Sequence, residues 1–387
     1  MLDSSNWETG VSVAVSAVDD DIDDGVQTCT VQTGATDSTD PNYHGFDVDD
    51  VTVTVNDDDT AGITVAPTNL TVSEPAGSDS FRVTLDSEPV HAVTVPLSTS
   101  NGQCNVGASE VVLDSSNWST GVSVTVSAVD DDIDDGAQTC LVQTGAATSD
   151  DANYAGTDPA DVTVTVDNDD TAGITVAPTS LTVSEPAGSD SFRVTLDSEP
   201  VHAVTVSLST SNGQCNVGAS EVVLDSSNWS TGVSVTVSAV DDDIDDGAQT
   251  CLVQTGPTTS DDPNYAGTDP ADVTVTVDDD DTAGITVAPT SLTISEPAGW
   301  DVFTFTLHSA PTAPVTIPLS TTSGACGLAV AQVVLDSANW QTGVGVTVGA
   351  VDDDVAGGPQ TCLVQTGPAT SDDPNYAGTD PADVTVT

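Results

Sequence analysis

Lysine is absent from this sequence, and arginine occurs only as Arg82 and Arg193, against 62 acidic residues and a formal net charge of −60. Nucleic acid needs a basic footprint to neutralise its phosphates, so that class of partner is excluded. An anionic membrane surface would repel the chain for the same reason. No apolar run approaches the roughly 18 residues of a membrane-crossing helix, and no membrane insertion is expected in this segment. Aromatic residues are scarce, at 4 %, and scarcity of that kind combined with high charge often marks disorder. Here disorder is rejected, because hydrophobic residues make up 37 % and recur in alternating runs such as Val162-Thr-Val-Thr-Val166. No Cys-x-x-Cys pair exists, which argues against zinc. His44, His91, His202 and His308 have no Ser or Cys at a spacing that suggests a nucleophile and its base.

What is present is repetition. The junction Val166-Asp-Asn-Asp-Asp-Thr-Ala-Gly173 recurs from Val55 to Gly62 and from Val277 to Gly284, and the three glycines are 111 residues apart. A fixed period of this kind means an array. The expected organisation is a partial repeat at 1–59 holding only C-terminal strands, then complete repeats at 60–170 and 171–281, and a third at 282–387 that stops just short of its closing Asp knot. The first two complete repeats differ at six positions of 111: Asn69/Ser180, Pro96/Ser207, Ala146/Pro257, Ala147/Thr258, Ala152/Pro263 and Asn168/Asp279. The third is more diverged, at Trp300, Phe305 and 324–327 among others. Residues 1–56 hold about three strands and cannot close a sandwich alone. They read as a window on a longer repetitive chain, the alternative being completion by a strand from a neighbouring chain.

Within a repeat the hydrophobic period is two, not 3.6. Candidate strands in the first are 62–65, 69–73, 80–85, 92–97, 110–113, 122–129, 139–143 and 161–166, bounded by Gly, Pro, Asn, Asp or Ser. Val, Ile and Thr dominate them, as suits a pleated, half-buried surface. No segment carries a helical stripe. Seven or eight short strands in about 110 residues predict an all-β fold, a tandem of immunoglobulin-like antiparallel β-sandwiches. On the longest strand Val122, Val124, Val126 and Ala128 should face inward, with Ser123, Thr125 and Ser127 facing water.

The seven cysteines form two series at the same period: Cys104, Cys215, Cys326, and Cys29, Cys140, Cys251, Cys362. Each complete repeat owns one pair. The bridges expected are Cys104–Cys140, Cys215–Cys251 and Cys326–Cys362, with buried free thiols as the alternative. Each bridge would contribute roughly 4 kcal/mol by the chain-entropy relation. Disulfides place a chain outside the cytosol.

The acids are concentrated in loops. Each repeat has a Glu in Ser-Glu-Pro (Glu74, Glu185, Glu296), an Asp run after the long strand (Asp130-Asp-Asp-Ile-Asp-Asp-Gly136, and again at 19–25 and 241–247), and the junction knot. Like charges this close repel strongly unless a cation sits among them, and Ca²⁺, with six to eight oxygens in flexible geometry, suits clustered Asp better than Mg²⁺. The run is no EF-hand: counted from Asp130, position six is Asp135 and position twelve Leu141. The bland alternative is a solvated acidic surface of the salt-adapted kind, which the missing lysine favours.

The Val-Ser-Glu before the second strand, the Val-Asp-Asp-Asp-Ile-Asp-Asp-Gly and the strand-terminal Val-Asp-Asn-Asp-Asp together resemble the Calx-beta domain, found in tandem in large secreted or surface proteins of microbes and in sodium–calcium exchangers. The resemblance covers the whole chain. It implies a seven-stranded sandwich binding Ca²⁺ where the acidic loops meet the next domain. The implied ligands are Glu74, Asp130, Asp131, Asp167, Asp169 and Asp170 in one repeat and Glu185, Asp241, Asp242, Asp278, Asp280 and Asp281 in the next. The chain departs from the pattern at Gln138, at 100–104, which carries no carboxylate, and at Asp352-Asp-Asp-Val-Ala-Gly357, which has lost two Asp.

Trp7, Trp118, Trp229 and Trp340 fit a core cap better than a carbohydrate platform, because one large ring per small repeat is core-sized. Tyr43, Tyr154, Tyr265 and Tyr376 sit in Asn-Tyr turns and should bond to backbone. Asn69, Asn117 and Asn228 head glycan-acceptor triplets. A site repeated identically in every bead argues against an enzyme. The reading is an extracellular or cell-surface structural protein, a calcium-stiffened fibre or stalk that assembles with itself. The alternative is an adhesin whose repeats bind a ligand, a neighbouring cell or other surface components.

Overall fold

A computed structural model describes residues 1–355 and 357–387. Ala356, in the diverged third acidic run, lies outside the described residues. The chain divides into two compact units, Met1–Thr171 and Ala172–Thr387. All regular elements among the described residues are strands, and no helix is long and apolar enough to cross a membrane.

The first unit begins with a two-stranded ribbon, β1 (Gln27–Val31) against β2 (Val51–Val55). A sandwich follows: β3 (Ile63–Ala66), β4 (Asn69–Ser73), β5 (Ser78–Leu85), β6 (Val93–Thr99), β7 (Cys104–Val106), β8 (Glu110–Leu113), β9 (Val122–Ala128), β10 (Gln138–Thr144) and β11 (Val162–Asp167). One sheet has the order β3-β5-β9-β7 and the other β4-β11-β10-β6-β8. In the second unit the same nine-strand, two-sheet arrangement occurs twice, over 174–278 and 285–386.

The alternating valines explain the layers. Val124, Val126 and Ala128 of β9 are buried against Phe81, Val83 and Leu85 of β5 and the valines of β10 and β11, while Ser123 and Thr125 face out. All eight expected strands are present, most with ends shifted by one or two residues. The ninth, β7, is three residues long and follows a turn-like Asn-Gly, so it carries no periodicity of its own. The pairing is antiparallel with one exception: β4 lies parallel to β11, from Asn69↔Thr163 to Ser73↔Asp167.

Three disulfides join the expected pairs, Cys104–Cys140, Cys215–Cys251 and Cys326–Cys362, with Cα–Cα distances of 5.9, 5.9 and 6.0 Å. Cys104 is on β7 and Cys140 on β10, so the bridge ties one sheet to the other. Trp118, Trp229 and Trp340 pack on the edges of their cores. Tyr154 is fully buried, and its hydroxyl donates to Ser87 O at 2.6 Å and accepts from Ser87 N at 3.2 Å. Tyr265 and Tyr376 repeat this with Ser198 and Ser309. Residues 1–56 hold two strands where about three were expected, and the difference lies in 1–26. Its Val11, Val13 and Val15 form none and stay exposed, and Trp7 is 68 % exposed. Their counterparts on β9 are held between β5 and β7, and no strand flanks 11–15.

Three bridges leave Cys29 as the free cysteine. A thiol assay on denatured, unreduced protein should therefore count one thiol per chain, rising to seven after reduction; six or seven before reduction would show the bridges absent.

Candidate metal centre

Strand register brings the acids together. The parallel pairing sets the end of β4 beside the end of β11, and Glu74 N donates to Asp167 O at 3.0 Å. Gln138, at the start of β10, pairs with Val166, so the 129–137 loop returns to the same end of the sandwich. Segments far apart in sequence thus deliver Glu74, the 130–135 run and the junction knot to one place.

Carboxylate oxygens of Glu74, Asp169 and Asp170 lie within 4.8 Å of one another. Two oxygens facing each other across one Ca²⁺, at 2.3–2.6 Å each, span about the same distance. In the next repeat there are two such groups, Glu185–Asp241–Asp280 and Glu185–Asp279–Asp281, sharing Glu185. Asp57, Asp58 and Asp59 form another in the partial repeat.

These groups have no internal counter-charge. Arg82 donates to the carbonyls of Thr120 and Gly121, and Arg193 to that of Thr231. Among the described residues the one ion pair is His44–Asp37 at 3.5 Å, and neither residue belongs to a carboxylate group. Glu74 is 8 % exposed, and its Oε2 is buried with no hydrogen-bond partner, as are Asp170 Oδ2 and Asp281 Oδ2. A buried acceptor without a partner costs about 1–3 kcal/mol, more when charged. Burial, reinforced by the charges of Asp131 and Asp170, raises the Glu74 carboxyl above its ordinary value. Asp170 rises through burial and its neighbour Asp169. Glu185 is pushed up to about 7 by burial and then by Asp242 and Asp279. Asp281 is pushed up to about 6 by burial and then by Asp279 and Asp280. Hard, anionic, partly dehydrated oxygens at cation spacing fit a divalent ion such as Ca²⁺.

Of the residues expected as ligands, Glu74, Asp169, Asp170, Glu185, Asp241, Asp280 and Asp281 fall into these groups. Asp130, Asp131, Asp167, Asp242 and Asp278 do not. Asp131 and Asp242 instead cap their own loops, accepting from Ile133 N at 3.0 Å and Ile244 N at 2.9 Å. Asp167 and Asp278 contribute backbone carbonyls to Glu74 N and Glu185 N. Asp279 was not among the expected ligands, although Asn168/Asp279 is one of the six differences between the repeats. Its carboxylate accepts from Asp246 N at 2.9 Å and Gly247 N at 2.7 Å, tying the Asp run to the knot. Asn168 donates to Ile133 O at 3.3 Å instead. In the last repeat Glu296 is exposed and joins no carboxylate group among the described residues.

The same loops touch the following bead. In the second unit, Asp243 O accepts from Ala310 N at 2.6 Å, Asp245 O from Asn375 Nδ2, and the Asp245 carboxylate from Ala283 N at 2.7 Å. In the first unit, Asp21 O accepts from Glu88 N at 2.6 Å, Asp23 O from Asn153 Nδ2 at 2.6 Å, and the Asp23 carboxylate from Ala61 N at 2.9 Å.

The Calx-beta domain family matches residues 56–170 and again 167–281. Solved structures similar to this chain include CBD12 from CALX1.2, at 16 % identity over 55 % of this chain and 98 % of that one, with a TM-score of 0.27. The calcium binding domain CBD12 of CALX1.1 is similar at 16 % identity over 55 % and 99 %, TM-score 0.27. The D0-D1 domain of Intimin is similar at 16 % identity over 55 % and 97 %, TM-score 0.18. No curated protein matches the chain.

The raised carboxyls set a pH dependence. Glu185 titrates at about 7 folded against 4.5 ordinarily, and Asp281 at about 6 against 3.8. In that window the folded state binds more protons than the unfolded one, so stability falls as pH rises. These two groups should make metal-free protein lose stability as pH rises from about 4 to about 7, and contribute no further change above that. Urea denaturation in EGTA across pH 4–8 measures this. Stability flat or rising over the window would show these carboxylates solvated and unshifted.

Proposed function

The chain belongs to the Calx-beta domain family, and from that premise we propose that it is an extracellular structural protein whose sandwich beads, 60–170, 171–281 and 282–387, form a stalk or fibre stiffened by bound Ca²⁺. The observation that carries the reading is Glu74 Oε2, buried without a partner beside Asp169 and Asp170, in a chain whose two arginines are engaged elsewhere. Glu74, Asp169 and Asp170 would hold the ion in one repeat, and Glu185, Asp241, Asp279, Asp280 and Asp281 in the next, with loop carbonyls and water completing the oxygen shell. Asp130, Asp131, Asp167, Asp242 and Asp278 would act around the ion through their charge.

Stiffening follows from the double use of the loop. Asp241 belongs to the candidate cation group, and two and four residues on, Asp243 and Asp245 bond the next bead. A cation that fixes the loop fixes the surface on which the next bead sits. Without one, the acids repel at distances shorter than the screening length of about 8 Å at physiological salt. Three disulfides place the chain in a non-cytosolic setting, and an extracellular location is where millimolar Ca²⁺ would meet such sites. The role is mechanical and not catalytic.

Small-angle scattering and thermal melts of the 387-residue chain, in Ca²⁺ and in EGTA, test the proposal. Calcium at about a hundredfold over Kd should add about 2.7 kcal/mol per site to the stability of a bead, and chelation should soften the joints, broadening the distance distribution, before any bead melts. The double variant Glu74→Gln, Glu185→Gln should lose most of the calcium-dependent rise in melting temperature. Scattering and melting unchanged by EGTA would leave the acidic runs as a salt-adapted surface.

A further inference from the structure

The bead at 285–386 differs from the others on one face. On the four-stranded sheet of the first bead, the outward positions of β5, β9 and β7 carry Ser78, Ser80, Arg82, Ser123, Ser127 and Asn105. At the matching positions of the last bead, on Trp300–Leu307, Val344–Ala350 and Cys326–Leu328, stand Trp300, Val302, Thr304, Gly345, Gly349 and Gly327. The four serine hydroxyls, the asparagine amide and the arginine charge at these six positions have gone, and one hydroxyl, that of Thr304, stands in place of the arginine. The inward neighbours Phe303 and Phe305 are fully buried, so the face is outside the core.

The new residues are arranged together. Trp300 pairs across the strands with Gly349, and Gly349 with Gly327, which puts two glycines in a row beside the indole. An aromatic often lies over a cross-strand glycine to cover its backbone. Here it does not: a Cβ built at Gly349 would meet only Gly299 O, at 3.8 Å, and Trp300 is 69 % exposed. A Cβ at Gly345, by contrast, would lie 3.1 Å from Val302 Cγ1, so that glycine makes room for the valine. The result is a free indole wall next to an open strip of backbone, with the Thr304 and Thr347 hydroxyls alongside.

We propose that this face binds a neutral carbohydrate chain, with a sugar ring stacked on Trp300 and seated over Gly349 and Gly327. The chemistry favours that occupant over others. The outward positions of these strands carry no charge, and the carboxylates that border them in sequence, Asp301, Glu296 and Asp352, disfavour an anionic partner, while the face itself offers a cation no partner. A second copy would bring its own −60. A pyranose has an apolar C–H face for an aromatic ring and a rim of hydroxyls for threonine and backbone, and needs no charge. The site uses the sheet face and no carboxylate, so its occupancy should not require calcium, although its strand ends lead into Glu296 and the run at Asp352.

The test is binding of the full chain to cellohexaose, chitohexaose and laminarihexaose by calorimetry and tryptophan fluorescence, in Ca²⁺ and in EGTA. At least one should bind in both buffers with a change in indole emission. Trp300→Ala should weaken binding about tenfold or more, in line with the loss of a stacked ring, with the melting temperature unchanged. Gly349→Ser with Gly327→Asn, which restores the side chains of the other beads, should also weaken it while leaving Trp300 in place. No binding to any of the three, or binding indifferent to Trp300→Ala, overturns the proposal. Dimerisation that Trp300→Ala abolishes, seen by sedimentation, would overturn it in favour of a second copy.

Discussion

Negative charge without an internal counter-ion is the constraint around which this molecule is built. The core of each β-sandwich is filled mainly by valines, leucines, phenylalanines and a tyrosine, and the clustered acids stand in loops at one end of it. Yet the first and last pieces of each five-stranded sheet pair in parallel, as Ser73↔Asp167 and Ser184↔Asp278 show, and both strands therefore terminate in carboxylates at the same end. The register that satisfies the backbone concentrates the charge. Hydrophobic burial and the inter-sheet disulfide offset that repulsion, while burial and then neighbouring negative charge raise the carboxyls of Glu74, Glu185, Asp170 and Asp281.

That end of the bead is also its joint. Asp245 accepts through its backbone carbonyl from Asn375 and through its carboxylate from Ala283, so a single residue links the acidic loop to two separate parts of the next bead. Asn375 lies in the turn that positions Tyr376, whose hydroxyl is anchored on Ser309 in the core. A displacement of the loop is thus resisted by a buried contact and not only by surface hydrogen bonds. Local charge balance and the mechanics of the joint become one problem, which is the physical reason for reading the acids as more than a solubilising coat.

Much of this was legible in the sequence. Period-two alternation located eight of nine strands, and the 111-residue register alone assigned the cysteine pairs, because each repeat holds only two candidates. What was not legible depends on pairing between distant segments. Nothing local to Asn69–Ser73 says that its neighbour is Val162–Asp167 or that the two run parallel. That pairing is also what sets the Asp167 backbone carbonyl against Glu74 N, at the end of the strand where the acids gather. Asp279 was missed for a related reason. The carry-over from one repeat to the next treated Asn168 and Asp279 as the same position, and the exchange of an amide for a carboxylate changes which loop groups it holds. The signal was in the short set of differences between near-identical repeats.

Those differences carry more information than the shared residues do. Where two beads match at all but six positions of 111, the shared sequence specifies a sandwich, and any specialisation must come from what varies. In the last bead the variation is coordinated. Its acidic run has Val355 in place of isoleucine, and its outer face exchanges serines and an arginine for Trp300, Val302, Thr304 and glycines. Gly345 is consistent with Val302 and would crowd against it with a side chain, so these two substitutions depend on each other. Random drift on a solvated strand would more readily exchange one small polar residue for another, because an exposed Gly in a strand costs backbone entropy and an exposed Trp costs solubility. Two unfavourable choices that fit each other on one sheet face point to a surface whose role differs from that of the beads before it.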